Sequence, residues 1–379
     1  SNINMDPTVS FQKIENDILY FNINNCNVSI VNSIRRTLLS DIETLVFRTS
    51  PESENRCLIK DNLTRLHNEI IKQRLSCVPI HVSDIDDFNY KNFRLDLNVE
   101  NETNDILLVT TKDFKIYDKV NEKYLSSDET KEIFPPFVAS SGEHYIELLR
   151  LRPETGNKVK EKINLSCEFD IGTAKENGSF NVVSTCAYGF TEDKKMIEEE
   201  LQKLKVTWSN ENKNIEDEET NWKLLTGQRF FKPDHFDFSL KSIGVFSEHE
   251  LLIIACETLI KKLDQLSTDI ETNVATIQDS NNVIPNSYDF HLDEKYGDYT
   301  LGKIIEYVIF EKYYNGVKNL NFCGFSKLHP HDTTSIVRIA FKENVNVDSV
   351  RNIIKESIEI LKTVFKKLKS EFDKLKKVK

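Results

Sequence analysis

Three groups of residues have types and spacings that could do chemistry. His329-Pro330-His331 sets two imidazoles at the H-x-H interval that suits a metal on a strand, but no third ligand stands near them in sequence. Asp84, Asp86 and Asp87, in SDIDD, are oxygen ligands that suit a hard cation and read equally as a solvated acidic turn. The seven cysteines, at 26, 57, 77, 167, 186, 256 and 323, contain no C-x-x-C pair, and their number is odd. They read as reduced thiols rather than as a disulfide framework. A Cys–His nucleophile would need a pairing in space that sequence does not display. There is no phosphate-binding G-x-x-x-x-G-K-[ST] and no G-x-S-x-G. A catalytic reading therefore has little to stand on, and the expected metal and cofactor content is none.

A different signal lies at Asn27–Ile42, NVSIVNSIRRTLLSDI. At 100° per residue, Ile30, Val31, Ile34, Leu38 and Ile42 share one apolar arc. Arg36 points away from that arc, near Asn32. Arg35 lies on its flank, between Val31 and Leu39. A guanidinium in that position snorkels to water, finds a partner inside the chain, or faces something outside it.

The 379 residues allow two or three domains, and a 39% hydrophobic content allows sizeable cores. The net charge of −11, from 61 acidic and 50 basic residues, argues against a protein that wraps nucleic acid by itself. The polar start SNINMDPTVS predicts no signal peptide, and the apolar runs are too short to span a bilayer. A reducing intracellular setting is expected.

The elements that must position these residues follow from periodicity. ILYFNI (18–23) alternates as a strand, the arginine-bearing helix follows, and LVFRTS (45–50) is a second strand. NEIIKQRLSCVPI (68–80) is a short helix that exits extended at Val78-Pro79. FRLDLNV, DILLVTT, FKIYD and the Pro-Pro pair of IFPPFV predict a β-rich insert at 48–162. INLSCEFDIGTAKENGSFNVVSTCAYGF (163–190) gives two strands and a loop, and 191–235 opens on a charged helix-bearing insertion or loop. FDFSLKSIG (236–244) is a strand, and 247–270 is a long amphipathic helix. The polar stretch 272–287, with Asn-Asn and Pro, reads as a linker. Beyond it, YDFHLDE is a strand, and Asp298 or Thr300 caps the helix TLGKIIEYVIF. Two more strands lead to a helix at 347–375. Its apolar residues Val350, Ile354, Ile358, Leu361, Phe365, Leu368, Phe372 and Leu375 form a heptad-like seam. Lysines at its end, in KKLKSEFDKLKKVK, suit a helix C-terminus.

Both ends of the chain thus run strand, short helix, strands, long helix. The helix at 30–42 corresponds to that at 300–310, and the helix at 247–270 to that at 347–375. Two copies of one pairing unit in one chain can pair with each other.

The segment NVSIVNSIRRTLLSDIETL with NEIIKQRLSCVPI resembles the third-largest subunit of eukaryotic RNA polymerase II, the archaeal D subunit and the amino-terminal domain of the bacterial alpha subunit. INLSCEFDIGTAKENGSF is similar to that family's G-x-A-K-E-H strand and loop, here Gly172, Ala174, Lys175, Glu176 and Asn177, with Asn in place of His. YGDYTLGKIIEYVIF with VKNLNFCGFSKLHPHDTTSIVRIAF resembles the smaller partner, archaeal L or the eleventh eukaryotic subunit. The matched pieces include Thr300-Leu301-Gly302 and His329-Pro330, which accounts for that histidine without a metal.

The resemblance implies an α+β fold holding two copies of the alpha/D–L dimerisation fold as a pseudo-dimer. The larger domain would occupy 1–47 and 163–271, the insert 48–162, the linker 272–287 and the smaller domain 288–379. Intrachain pairing would use Leu252, Leu259 and Leu263 against Ile354, Ile358, Leu361 and Phe365. Asn32, Arg35, Arg36 and Gly302 would face the two largest polymerase subunits, with Gly302 permitting close backbone approach. Small zinc-binding subunits would be further partners, and neither DNA nor membrane contact is expected. Many relatives hold a cysteine cluster in the insert; here no cysteine lies between Cys77 and Cys167, so that cluster is absent. The large-subunit motif that binds catalytic magnesium is absent too, which implies a non-catalytic assembly subunit. A fusion of the two partners is similar to the arrangement in some large cytoplasmic DNA viruses. That implies a host cytoplasmic factory or virion, whereas a cellular source implies the nucleus. The alternative is a scaffold of another complex that reuses the same pairing fold.

Overall fold

In the computed structural model, residues 5–154, 160–280 and 284–375 are described. The chain forms two compact units. One comprises Ser1–Leu38, Thr185–Lys241 and Glu248–Lys379; the other comprises Leu39–Ser184 and Ser242–Ser247.

The first unit opens on a hairpin of strands Thr8–Glu15 and Ile18–Asn24. Its turn is Asn16-Asp17, both with positive φ (53° and 59°), between the paired residues Glu15 and Ile18. Two left-handed residues make the tight turn whose twist matches that of the strands, and Asn and Asp tolerate that conformation better than other non-glycine residues. The second strand alternates strictly, burying Leu19, Phe21 and Ile23. Asn27 begins the first helix, Val28–Ser40, its side-chain oxygen accepting the Ser29 backbone N–H at 2.9 Å.

This unit holds two four-stranded sheets with one plan. The first is ordered Thr8–Glu15, Ile18–Asn24, Phe231–Ser242, Val183–Glu192. The second is ordered Ile277–Asp279, Ser287–Leu292, Ser335–Phe341, Leu320–Ser326. In each, a helix follows the second strand: Val28–Ser40 in one, Tyr299–Ile309 in the other. In each, a long helix follows the last strand: Glu248–Glu271 and Val347–Leu375. Ile277–Asp279 falls inside the stretch read as linker, because it pairs with Tyr288–Phe290 at the sheet edge. Residues 281–283 of that stretch, and the last four residues of the basic tail, lie outside the described residues.

The long helices pack together. Leu252, Leu259, Leu263, Ile354, Ile358, Leu361 and Phe365 are all fully buried. Beside them runs a ladder of ion pairs: Lys355–Glu271, Lys362–Asp264 and Lys369–Glu257, each at 2.6 Å. The lysines ascend by one heptad as the acids descend by one, so the helices run antiparallel. Each exposed pair is worth at most about 1 kcal/mol. Together they favour this register and direction over a slip that would set lysine against lysine.

In the second sheet, Asp289 and Arg338 stand directly opposite each other and form two bonds, Nε–Oδ1 at 2.7 Å and Nη2–Oδ2 at 2.8 Å. The guanidinium holds the buried Asp289 carboxyl below the usual carboxylate range. A carboxyl with a lower pKa folded than unfolded stabilises above its unfolded value of about 3.9. That stabilisation is lost as pH falls through the folded value. Thermal melts from neutral pH down to acid will therefore lose stability more steeply for the wild type than for Asp289→Asn, which does not titrate. Parallel curves would show that the pair contributes nothing.

The second unit is β-rich. Its main sheet runs Cys57–Asn62, Lys162–Glu168, Phe93–Glu100, Lys115–Asp118, Lys123–Tyr124. Leu95, Leu97, Ile116, Ile163 and Leu165 from this sheet join Phe47, Ile71, Leu75 and Leu149 in one core. The unit is thus wider than the 48–162 expected for the insert. Strand Lys162–Glu168 reads in sequence like the start of the returning sheet, but it pairs inside this unit with Cys57–Asn62 and Phe93–Glu100. Residues 191–235 supply two helices, Lys194–Asn210 and Ile215–Leu224, between the long strands of the first sheet.

Candidate subunit-docking face

The first helix buries Ile30, Val31, Ile34 and Leu38 and leaves Asn32, Arg35 and Arg36 half-buried. Arg35 Nε donates to Asn32 Oδ1 at 3.0 Å, one helical turn back. Among the described residues Arg35 forms no ion pair with a carboxylate. Its backbone carbonyl accepts from Cys186 Sγ at 3.8 Å, and burial pushes that thiol up to about 12, leaving it protonated and unreactive near neutrality.

Arg36 has a different environment. Its Nε donates to Thr300 Oγ1 at 3.0 Å, and its Nη2 lies 3.7 Å from Asp298 Oδ2. Asp298 caps the second short helix, its Oδ1 accepting from the Thr300 backbone N–H at 2.8 Å. The Arg36 guanidinium also lies 5.9 Å from the centre of the exposed Tyr299 ring. Arg36 therefore joins the two short helices, Val28–Ser40 and Tyr299–Ile309. Arg36, expected to face the large subunits, thus spends part of its donor capacity inside the chain. Lys327 lies 5.5 Å from the same Tyr299 ring, and Lys303 lies 6.0 Å from the Phe325 ring. Lys303 is also paired with Glu306 at 2.6 Å, which leaves Arg35 on the first helix and Lys327 beside the Tyr299 ring as cations suited to carboxylates and backbone carbonyls of a protein partner.

Gly302 does not offer a surface. It is buried, and a Cβ there would lie 2.1 Å and 2.4 Å from atoms of the Phe325 ring. The close approach that requires glycine is internal, between this helix and strand Leu320–Ser326. Gly302→Ala should cost about 1–3 kcal/mol of stability in a denaturant titration. Adding Phe325→Leu should recover most of it. A stable Gly302→Ala chain with impaired partner binding would return the residue to the docking surface.

The metal reading finds no support in the geometry. His329 and His331 are exposed with ring centres 5.2 Å apart, and His329 Nδ1 accepts the His331 backbone N–H at 3.1 Å. Asp84 Oδ1 accepts the Asp87 backbone N–H at 3.0 Å, as in a solvated turn. Among the described residues, no three His, Cys, Asp or Glu side chains converge as a metal site.

In the second unit the G-x-A-K-E segment makes an internal joint. A Cβ on Gly172 would lie 2.8 Å from the Phe180 ring. Arg48 binds Glu176 at 2.9 Å, Asp170 at 2.7 Å and the Ile171 carbonyl at 2.6 Å, with its guanidinium 5.7 Å from the centre of the Phe180 ring. Asn177 Oδ1 accepts from the Ser179 backbone N–H at 3.0 Å. Sequence reasoning missed Arg48. Its only local sign was an arginine inside the apolar strand LVFRTS.

Residues 20–263 match the family model of the RNA polymerase Rpb3/Rpb11 dimerisation domain. A conjugation stage-specific protein of Tetrahymena thermophila is 26% identical over 298 residues, covering 67% of this chain and 91% of the relative. DNA-directed RNA polymerase II subunit rpb3 of Dictyostelium discoideum is 21% identical over 313 residues, covering 73% of this chain and 97% of the relative.

Proposed function

We propose, from the premise that this chain belongs to the RNA polymerase Rpb3/Rpb11 dimerisation-domain family, that it is the non-catalytic assembly platform of a multisubunit DNA-directed RNA polymerase. In this reading the two large catalytic subunits dock on the surface of the short helices, through Asn32, Arg35 and Arg36. The observation that carries it is the repeated sheet order with one short helix in the same place in each repeat, the two helices joined by Arg36. The family match ends at residue 263, and the second repeat lies beyond it. We read that repeat as the smaller partner fused to the larger, the two forming a pseudo-dimer through their long helices. Fusion turns a bimolecular association into an intramolecular one, at an effective concentration on the order of millimolar. Of the larger half, read as 1–47 and 163–271, residues 39–47 and 163–184 lie in the second unit together with the insert, which small zinc-binding subunits would meet.

The test is gentle capture of the tagged chain from its native source. Two very large chains in equal amounts, with RNA synthesis in the eluate, are expected. The chain arriving alone, or with unrelated proteins, would mean that the pairing fold serves another complex.

A further inference from the structure

Cys57 and Cys167 face each other across two strands of the second unit. Cys57 begins strand Cys57–Asn62, the edge of the main sheet, and its register partner on strand Lys162–Glu168 is Cys167. The next pair along, Glu168 and Arg56, is joined by a Glu168 N–H donating to the Arg56 carbonyl at 3.2 Å. Antiparallel ladders alternate, so Cys57 and Cys167 occupy a non-hydrogen-bonded position. There the Cα atoms stand about 4.5 Å apart and the side chains are closest. A disulfide needs Cα atoms about 4.4–6.8 Å apart. The Cys167 thiol donates to the Glu168 backbone carbonyl at 3.5 Å, and the neighbouring Cys57 and Cys167 thiols perturb each other's titration. Both are free and buried.

We infer that Cys57 and Cys167 are a reversible dithiol site that a peroxide converts to a cross-strand disulfide. The spacing of a non-hydrogen-bonded pair falls within the range a disulfide spans. The edge position supplies the access that burial otherwise denies, because an edge strand is held on one side only and opens more readily than a central one.

The two sulfurs have unequal roles. The neighbouring Cys167 thiol and the Lys72 ammonium favour the Cys57 thiolate, while the adjoining Cys57 and burial hold the Cys167 thiol up. Cys57, on the edge strand that opens first, is the attacking sulfur, and Cys167, on the inner strand, resolves it. Its thiolate attacks one peroxide oxygen, the O–O bond breaks, and the departing hydroxide takes up the proton that Cys57 released. The Cys167 sulfur then attacks the Cys57 sulfenic acid, whose hydroxyl leaves with the Cys167 proton as water. Two thiols lose two electrons, and the peroxide is reduced to two waters. The product closes the loop from residue 57 to residue 167 and fastens the edge strand to its neighbour. In a register shifted by one residue the two cysteines would point to opposite faces and the pair would be lost.

The experiment uses the full chain and hydrogen peroxide. After exposure, free thiols are alkylated under denaturing conditions, and the unreduced digest is analysed by mass spectrometry. The expected result is one linked peptide joining Cys57 to Cys167, with Cys256 still fully alkylated and dithiothreitol restoring both thiols. In Cys167→Ser, dimedone should trap a Cys57 sulfenic acid that is not trapped in the wild type. Wild-type Cys57 and Cys167 both alkylated under an exposure that oxidises the exposed Cys77 would overturn the inference. So would persistent dimedone labelling of wild-type Cys57.

Discussion

Arg35→Glu should leave the chain folded and, on the proposed function, weaken its capture of the large catalytic chains. The first half of this expectation rests on what Arg35 lacks. It is half-buried, bonded through Nε to Asn32 on its own helix, and without an ion pair to any carboxylate among the described residues. Substitution therefore strands no buried partner, and such surface changes usually stay within about 0.5 kcal/mol. The second half rests on chemistry. An arginine on an apolar flank is the kind of residue that anchors an interface, and reversing its charge sets a carboxylate against whatever it bound. A loss of about 2–4 kcal/mol corresponds to a fall in affinity of roughly thirty- to a thousand-fold. Melting and co-purification of the variant check the two halves separately. An unfolded variant would mean that Arg35 is needed internally, and unchanged capture would move the docking face elsewhere. Arg36 is the poorer residue for this test, because its bonds to Thr300 and Asp298 would be lost at the same time.

Phe372→Ala should destabilise the first unit by about 3–5 kcal/mol, the usual cost of emptying a fully buried phenylalanine site. Phe372 comes from the long helix of the second repeat, yet its ring meets the edge of Phe21, on the first sheet, with centres 5.9 Å apart. Phe21 in turn stacks on Phe238, with centres 5.0 Å apart. One turn of the same helix brings Glu371 Oε2 within 3.4 Å of the Val9 backbone N–H on the opening strand. Removing the ring thus opens a void between the repeats, and both sheets should lose stability in one denaturant transition. A loss under about 1 kcal/mol, or separate transitions for the two sheets, would mean that the repeats fold as independent bodies.

The sequence by itself determined what depends on neighbours a few residues apart. The alternation in ILYFNI buried Leu19, Phe21 and Ile23. The 3.6-residue period marked the helices at 30–42, 247–270 and 347–375, found at Val28–Ser40, Glu248–Glu271 and Val347–Leu375. Asp298 is the cap, as one of two candidates named from sequence. Each of these is set by local geometry, in which the chain's own period decides which side chains share a face. The tertiary structure alone decided partners. Arg36 meets a hydroxyl 264 positions away, Lys362 meets Asp264, and Gly302 is required by a ring on another strand. Lys162–Glu168 has the alternation of any strand, and only its hydrogen bonds assign it to the second unit. The same holds for Cys57 and Cys167, whose facing positions follow from a register that no spacing in the sequence encodes. Periodicity states which face of an element avoids water; which distant face covers it depends on how whole elements dock, where many weak contacts are summed at once.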